Sequence, residues 1–550
     1  MTNDSNPGSP ARRNPNGYAM VTTLSFTPEN NYSRIGLRYF IDRYGFFTSR
    51  DSGTFLCGAL QAETEDDVIR MIHERVRLEG YPILGVSSEP PYNEDALFDF
   101  FPGPGYVSGN TDTTCDEKKL DLFNHLGFCL TGGIEHTWQT ASKEKRHAIV
   151  RTAFADTYCE LLFDAVKNLH SMMNVPLVHT SFWPENTRFS VCLTHDVDEV
   201  KKTYQWITRP WNHAKKRNLQ GLYQQFRSLQ QKIRGLEPYW TFESLRETEE
   251  DLGVKSSLYF LNETGSVSIL DKKTWRHVGR RYNWNERSVT EIIKSFHSRG
   301  WEVGLHGSFH SYKDPGKIQE EKSALEQIIQ DKIAGGRQHN LNLAIPETWK
   351  YQEAAGLVYD TTLGYNDCIG FRWGTCLPFR PWYHTERRML NILEIPLIIE
   401  DLPFFRIQNR KEAFLHIARE VERHQGVLTL LWHHSVMNEH EYPGWGAAYK
   451  HMIEYCKKRN AWITSAREIA TWWQWRMNTR FDWSFKDKVL KLSPYPHGHH
   501  HYLTIWLPET MKCIHVHNAE IIHKGERSLM IRSEKLKPGD CVQIECEEKR

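Results

Sequence analysis

No stretch of the sequence approaches the roughly 18 consecutive apolar residues of a membrane-spanning helix, so no membrane span is expected. Nor is there a Cys-x-x-Cys pair, which argues against a structural zinc knuckle. The 11 cysteines are an odd number and are scattered singly, several of them inside apolar runs (Cys57, Cys129, Cys192). That usage fits reduced thiols in a cytoplasmic protein rather than a disulfide framework. An excess of one charge is missing too: 69 Lys and Arg against 68 Asp and Glu leave a formal net charge of +1. There is thus no global electrostatic case for binding nucleic acid. The first twenty residues, MTNDSNPGSPARRNPNGYAM, lack the apolar stretch of a secretory signal, so residues 1–19 read as a disordered leader and a cytoplasmic location is expected.

What is present is the composition of a soluble globular protein, 39% hydrophobic and 25% charged. At 550 residues the chain is too long for one core, and two to four domains are expected. Residues 20–185 carry mixed signals, with helical apolar spacing in TEDDVIRMIHERVRLEG and HAIVRTAFADTYCELLFDAVKNL around a Gly/Pro-rich loop, FFPGPGYVSGNTDTT. Their spacing predicts an N-terminal α+β or α/β domain that carries no chemical motif.

From 186 to 477 the pattern becomes regular. RFSVCLT, KSSLYFLN, WEVGLHG, LNILEIPLII, GVLTLLWHH and AWITS read as buried parallel strands, separated by amphipathic helical segments that often end in Gly or Asn. This alternation predicts a βα barrel or doubly wound sheet. A basic helical insertion, 200–238, stands between the first strand and its helix, on the face where strands end. Beyond 478, short alternating runs such as YLTIWLP and SLMIRS predict a small all-β, sandwich-like C-terminal domain.

In α/β folds catalytic side chains gather at the carboxyl ends of strands. The first strand delivers His195, Asp196 and Asp198, and WEVGLHGSFHSY delivers His306 and His310. GGRQHNLNL offers Arg337, and GVLTLLWHHS offers His433 and His434. Two imidazoles separated by three residues can converge on one cation, and two imidazoles plus a carboxylate make a catalytic metal site. Either Asp196 or Asp198 would complete it, leaving the other as a general base. One H-x3-H among 27 histidines is weak by itself, and Asp-x-Asp is often only a turn or cap. Their coincidence at strand ends is what points to a site. The histidine-rich PYPHGHHHY and the alternating His515 and His517 are assigned no role.

LTHDVD followed by GWEVGLHGSFHSY resembles the first two motifs of the polysaccharide deacetylase (NodB-homology, carbohydrate esterase family four) superfamily, in a divergent Asp-x-Asp form. GVKSSLYFLNE, GGRQHNL and LTLLWHH are similar to its second strand, its arginine-bearing motif and its final histidine motif. The resemblance covers roughly residues 188–475. It implies a distorted (β/α) barrel of the polysaccharide deacetylase type, flanked by the N-terminal α/β domain and the small C-terminal all-β domain. It further implies a metal-dependent hydrolase that removes an N-acetyl group from an amino sugar of a glycan or glycan precursor. Asp196 would be the base, Asp198, His306 and His310 the metal ligands, Arg337 the partner of Asp196, and His433 (or His434) the general acid, with Asp401 as a possible orienting partner. His195 would face the other way. Zinc is the expected ion, with cobalt, nickel or ferrous iron compatible. The sequence departs from the usual forms: a valine separates the two aspartates, no glycine follows them, and no proline follows Arg337. An N-acetylated carbohydrate is the expected partner. Other readings are hydrolysis of a cyclic amide or small metabolite on the same barrel, a ferrous oxygenase, and a non-catalytic carbohydrate-binding protein.

Overall fold

The computed structural model describes residues 32–45, 55–57, 60–62, 72, 122–135, 146, 149–263 and 282–549. The leader at 1–19, the Gly/Pro-rich loop and all of the 64–80 helical segment but Ile72 lie outside these. Among the described residues the first helices are α1 (Tyr32–Tyr44), α2 (Leu122–Leu130) and α3 (Phe154–Met172), with a short antiparallel ladder of Phe55–Cys57 and Leu60–Ala62 between the first two. A short strand, β1 (Leu177–Thr180), leads into the first barrel strand, β2 (Phe189–Val197). The helices α4 (Gln205–Lys215), α5 (Leu219–Ile233) and α6 (Phe242–Leu252) intervene before β3 (Ser257–Leu261). Then come α7 (Arg287–Ser298), β4 (Glu302–Gly307), α8 (Pro315–Ile329), β5 (Gly335–Gln338), α9 (Glu347–Ala354) and β6 (Tyr359–Asp360). The barrel ends with β7 (Leu393–Glu394), β8 (Ile399–Glu400), α10 (Arg410–Arg423), β9 (Val427–Leu431), α11 (Trp445–Lys458), β10 (Ala461–Thr464) and α12 (Ala466–Asn478).

These strands form one all-parallel sheet in the order β7-β6-β5-β4-β3-β2-β9-β8, with β10 pairing to β2 as well. Every residue of β2, β3, β4 and β9 is buried, as expected of strands covered on both faces. Laid flat, eight strands would span roughly 34 Å. Yet the edge strands β7 and β8 are joined by only residues 395–398, a link that reaches at most about 18 Å. The sheet therefore curls into a nearly closed barrel. The expected single strand LNILEIPLII is divided between the two edges. Ile395 N–H bonds the Asp360 carbonyl at 2.9 Å, and Ile398 N–H bonds the Thr429 carbonyl at 3.2 Å on the opposite edge. Pro396 stands at the changeover, where its missing N–H interrupts any ladder.

The bottom of the barrel is plugged. Ser465 caps α12, whose first amides turn inward: Ala466 N–H bonds Ser257 Oγ at 2.8 Å and Arg467 N–H bonds Glu302 Oε2 at 2.8 Å. That leaves the other end, where the strands deliver their last residues, for chemistry. The N-terminal helices share the barrel's hydrophobic core. Arg43 of α1 pairs with Asp156 of α3 at 2.6 Å, and the helices are pinned to the barrel wall where Asp156 accepts the Cys376 backbone N–H at 2.8 Å and Glu135 pairs with Arg372 at 2.7 Å, all four charged side chains buried.

After Asn478 come β11 (Arg480–Lys486), β12 (Val489–Tyr495), β13 (Tyr502–Trp506), β14 (Met511–His517), β15 (Ala519–Lys524), β16 (Ser528–Ser533) and β17 (Val542–Glu548). They form two four-stranded sheets, β11-β12-β17-β14 and β15-β16-β13-β1. Leu490, Leu492, Val542 and Ile544 of one sheet meet Leu503, Ile505, Leu529 and Ile531 of the other in a second core, a small sandwich. No helix among the described residues is long and apolar enough to cross a membrane.

Candidate active site

Strand alternation sorts the polar residues of β2. Side chains of successive residues point to opposite faces, so Thr194 and Asp196 face the barrel interior while His195 faces out. His195 Nε2 meets Glu249 Oε1 of α6 at 2.9 Å, and Nδ1 meets the Trp432 carbonyl at 2.6 Å. Glu249 also accepts from Tyr449, Ser256 and Trp301. This is a fully buried network that fastens α6 and α11 to the strand, and it takes no part in the site.

On the inner face, Asp196 Oδ1 accepts a 2.8 Å hydrogen bond from Arg337 Nη1. The guanidinium is fixed by the Thr361 carbonyl (2.8 Å) and by Thr194 Oγ1 (3.0 Å). Arg337 and His306 are register partners on β5 and β4, which sets them side by side. His306 Nδ1 bonds the Arg337 carbonyl at 2.9 Å, so its Nε2 is turned to Asp198 Oδ1 at 3.0 Å, with Asp196 Oδ2 at 3.6 Å. Asp198 lies one residue past the strand, its side chain 30% exposed at the opening.

The third member is His339. It follows Arg337 by two residues, and its Nε2 lies 3.9 Å from Asp198 Oδ2. Asp198, His306 and His339 each offer one ligand atom within 4.8 Å of the others. His310 stands apart. The chain leaves β4 after Gly307 and turns through Ser308 into a short 3-10 helix starting at Ser311, leaving His310 exposed beside Phe309. On a continuous helical turn the H-x3-H spacing would set the two imidazoles side by side, and this segment is not one. The cue to His339 was the period of two from Arg337 in GGRQHNL.

On the other side of the opening, His433 Nδ1 lies 3.0 Å from both oxygens of Asp401, which also accepts the His433 backbone N–H at 2.6 Å. His433 Nε2 faces Asp198 Oδ2 at 3.7 Å. Burial alone would lower the His433 pKa, but the Asp401 charge and hydrogen bond, with Asp198 and Asp196 behind them, hold it well above the usual imidazole range. His434 is the opposite case. Burial pushes it down to about 4, its ring is stacked on Phe242 at 4.6 Å, and its Nδ1 approaches the Asp196 carbonyl at 3.5 Å. A neutral, packed imidazole is a poor proton donor. Burial also raises Asp198, yet the charge of His339, the hydrogen bond and charge of His306 and the charge of His433 outweigh it and hold its carboxyl well below the usual range. Glu400, beside Asp401, is pushed up to about 8 by burial, against the charge of His433.

No protein-family model and no curated protein matches the sequence. Solved structures do. A putative polysaccharide deacetylase from Mycobacterium smegmatis is 16% identical, with a TM-score of 0.36 over 54% of this chain and 94% of the other. A probable polysaccharide deacetylase from Pseudomonas aeruginosa is 14% identical, with a TM-score of 0.34 over 54% and 94%. An allantoinase is 12% identical, with a TM-score of 0.34 over 54% and 93%.

The residues fit a divalent cation. Both ring nitrogens of His339 are buried without a hydrogen-bond partner among the described residues. A buried polar group in that state is costly, and coordination would satisfy one of the two. Two imidazoles and a carboxylate at this spacing suit an ion with bonds of about 2.0–2.2 Å.

Proposed function

We propose that the chain is a metal-dependent hydrolase that removes an N-acetyl group from an amino sugar of a glycan or glycan precursor. The observation that carries this reading is one opening that holds three groups of residues: the Asp198–His306–His339 cluster, the Asp196–Arg337 pair and the His433–Asp401 pair. Asp198, His306 and His339 would hold the ion, zinc by default. When bound, such an ion polarises an amide carbonyl and makes a water more acidic.

The remaining steps belong to the chain's own residues. Arg337 binds one oxygen of Asp196 and leaves Oδ2 facing the opening, where it takes a proton from the water that attacks the acetyl carbon. His306 gives its Nδ1 hydrogen to the Arg337 carbonyl, which fixes the tautomer with Nε2 turned inward. Asp401 orients His433, whose Nε2 donates a proton to the amine nitrogen as the carbon–nitrogen bond breaks. Water and amide are consumed; acetate and free amine are produced.

Metal analysis of the purified protein tests the ligand set. Asp198→Ala, His306→Ala and His339→Ala should each lose the ion, whereas His310→Ala should keep it. A His339→Ala protein with full metal content would return the third position to another residue. Acetate release from N-acetylated sugars, abolished in Asp196→Asn, tests the reaction. If the loaded protein releases no acetate from any of them, the deacetylase reading falls.

A further inference from the structure

The hairpin formed by α4 and α5 has its polarity reversed. In a surface helix the apolar stripe faces the core and the polar side faces water. Here the buried side chains are Gln205, Gln225 and Ser228, together with Lys202, which leads into α4. Facing out are Ile207, Trp211, Leu219, Tyr223, Phe226 and Ile233, each between 55% and 78% exposed. On α5 these fall at i, i+4, i+7 and i+14, one continuous stripe.

The arrangement is built rather than loose. Lys202 is fully buried against Glu441, Gln225 and Ser228, and Arg209 reaches the other oxygen of Glu441 at 2.6 Å. Asn438 bonds the Gln231 side chain at 3.0 Å and the Pro238 carbonyl at 2.7 Å. The polar face is thus consumed in anchoring the hairpin to the loop after His433 and His434, at the rim of the candidate site. Its charge is one-sided as well. Residues 201–236 contain nine Lys and Arg and no Asp or Glu, in a chain whose net charge is only +1. Of these, Lys215, Lys216, Arg217, Arg227 and Arg234 are exposed and in no ion pair among the described residues.

We infer that this hairpin docks the rim of the barrel onto the surface of an anionic lipid bilayer. Protruding Trp, Phe, Leu and Ile side chains flanked by basic residues match the interfacial layer, where apolar groups enter the acyl boundary and cations meet acidic headgroups. A bilayer needs no shape-complementary pocket, and it supplies the negative charge that this patch lacks. Large exposed apolar patches on soluble proteins mark interaction sites. The inference does not rest on the hydrolase reading, since it uses none of the site residues.

Vesicle co-sedimentation of the full chain tests it. The wild type should bind vesicles of phosphatidylcholine mixed with phosphatidylglycerol, bind pure phosphatidylcholine weakly, and lose binding as salt is raised. Trp211→Glu with Phe226→Glu should weaken binding by about tenfold or more, as should Lys215→Glu with Lys216→Glu and Arg217→Glu. An unchanged thermal midpoint would show that both variants stay folded. Absence of binding to the anionic vesicles, equal binding to pure phosphatidylcholine, or undiminished binding by the variants would overturn the inference. So would a wild-type dimer that Trp211→Glu turns into a monomer, which would assign this face to a second copy of the chain.

Discussion

Asp401 sets the charge state of the residue proposed to protonate the leaving amine. Its carboxylate is buried and spends both oxygens on His433, so removing its charge acts on one imidazole. A proton donor works only while protonated, and activity is lost as pH rises through its pKa. Asp401→Asn should therefore move the alkaline limb of the pH–rate profile to lower pH and reduce kcat about 100-fold. KM should change little; an unmoved alkaline limb would take His433 out of the donor role. Glu321, on α8, gives a second titration. Burial pushes its carboxyl up to about 7, against hydrogen bonds from Ser308. The folded protein then keeps a proton that the unfolded chain gives up near 4.5. Its contribution to stability should decline as pH rises from about 4.5 to about 7, by about 3 kcal/mol. Glu321→Gln should match the wild type at the acid end and be the more stable of the two above neutrality. Denaturation midpoints of both proteins across that window check it. The sequence made Asp196, Asp198 and His306 legible because strand period and strand ends are local properties. His339 was hidden because the eye-catching pair, His306 and His310, lies across a break in the backbone that no spacing rule registers.

At the scale of elements, the long amphipathic segments and the continuous apolar strand runs were legible and the two-residue strands were not. TFESLRETEEDLG becomes α6, ended by Gly253 at φ 60°, because apolar spacing and a left-handed stop act within one stretch of chain. Strands β7 and β8, two residues each, exist only because distant partners stand beside them. The crossing of α1 and α2 is another tertiary fact with a sequence trace. A Cβ at Gly36 would lie 1.8 Å from the Phe123 carbonyl oxygen, and one at Gly127 would lie 2.1 Å from that of Tyr32. Backbone meets backbone there, so no rotamer change can make room. Gly36→Ala should cost about 3 kcal/mol or more, read as a lower denaturation midpoint. A variant as stable as the wild type would mean that the helices cross elsewhere.

The whole molecule is held together across its apparent domain boundary by β1. That strand precedes the barrel in sequence but pairs with β13 of the C-terminal sandwich, Leu177 opposite Trp506 through Thr180 opposite Leu503. Alternation lets it serve two cores: Leu177 belongs to the barrel core while Val178 packs against the sandwich. Around it, Arg476 of α12 donates to the carbonyls of Thr180 and Ser181, Trp506 Nε1 bonds His179 at 3.1 Å, and Trp472 meets Tyr502 at 5.4 Å between ring centres. A chain stopped after Asn478 would retain every proposed catalytic residue, yet it would leave β1 as an unpaired edge and expose the faces of Trp472 and Phe163 that the sandwich covers. Exposed strand edges beside apolar surface promote association. The truncated chain should therefore melt at lower temperature and aggregate at concentrations where the full chain stays monodisperse, as light scattering during thermal denaturation would show. If it instead melts like the full chain and stays dispersed, β1 stabilises the sandwich alone and the barrel folds without it.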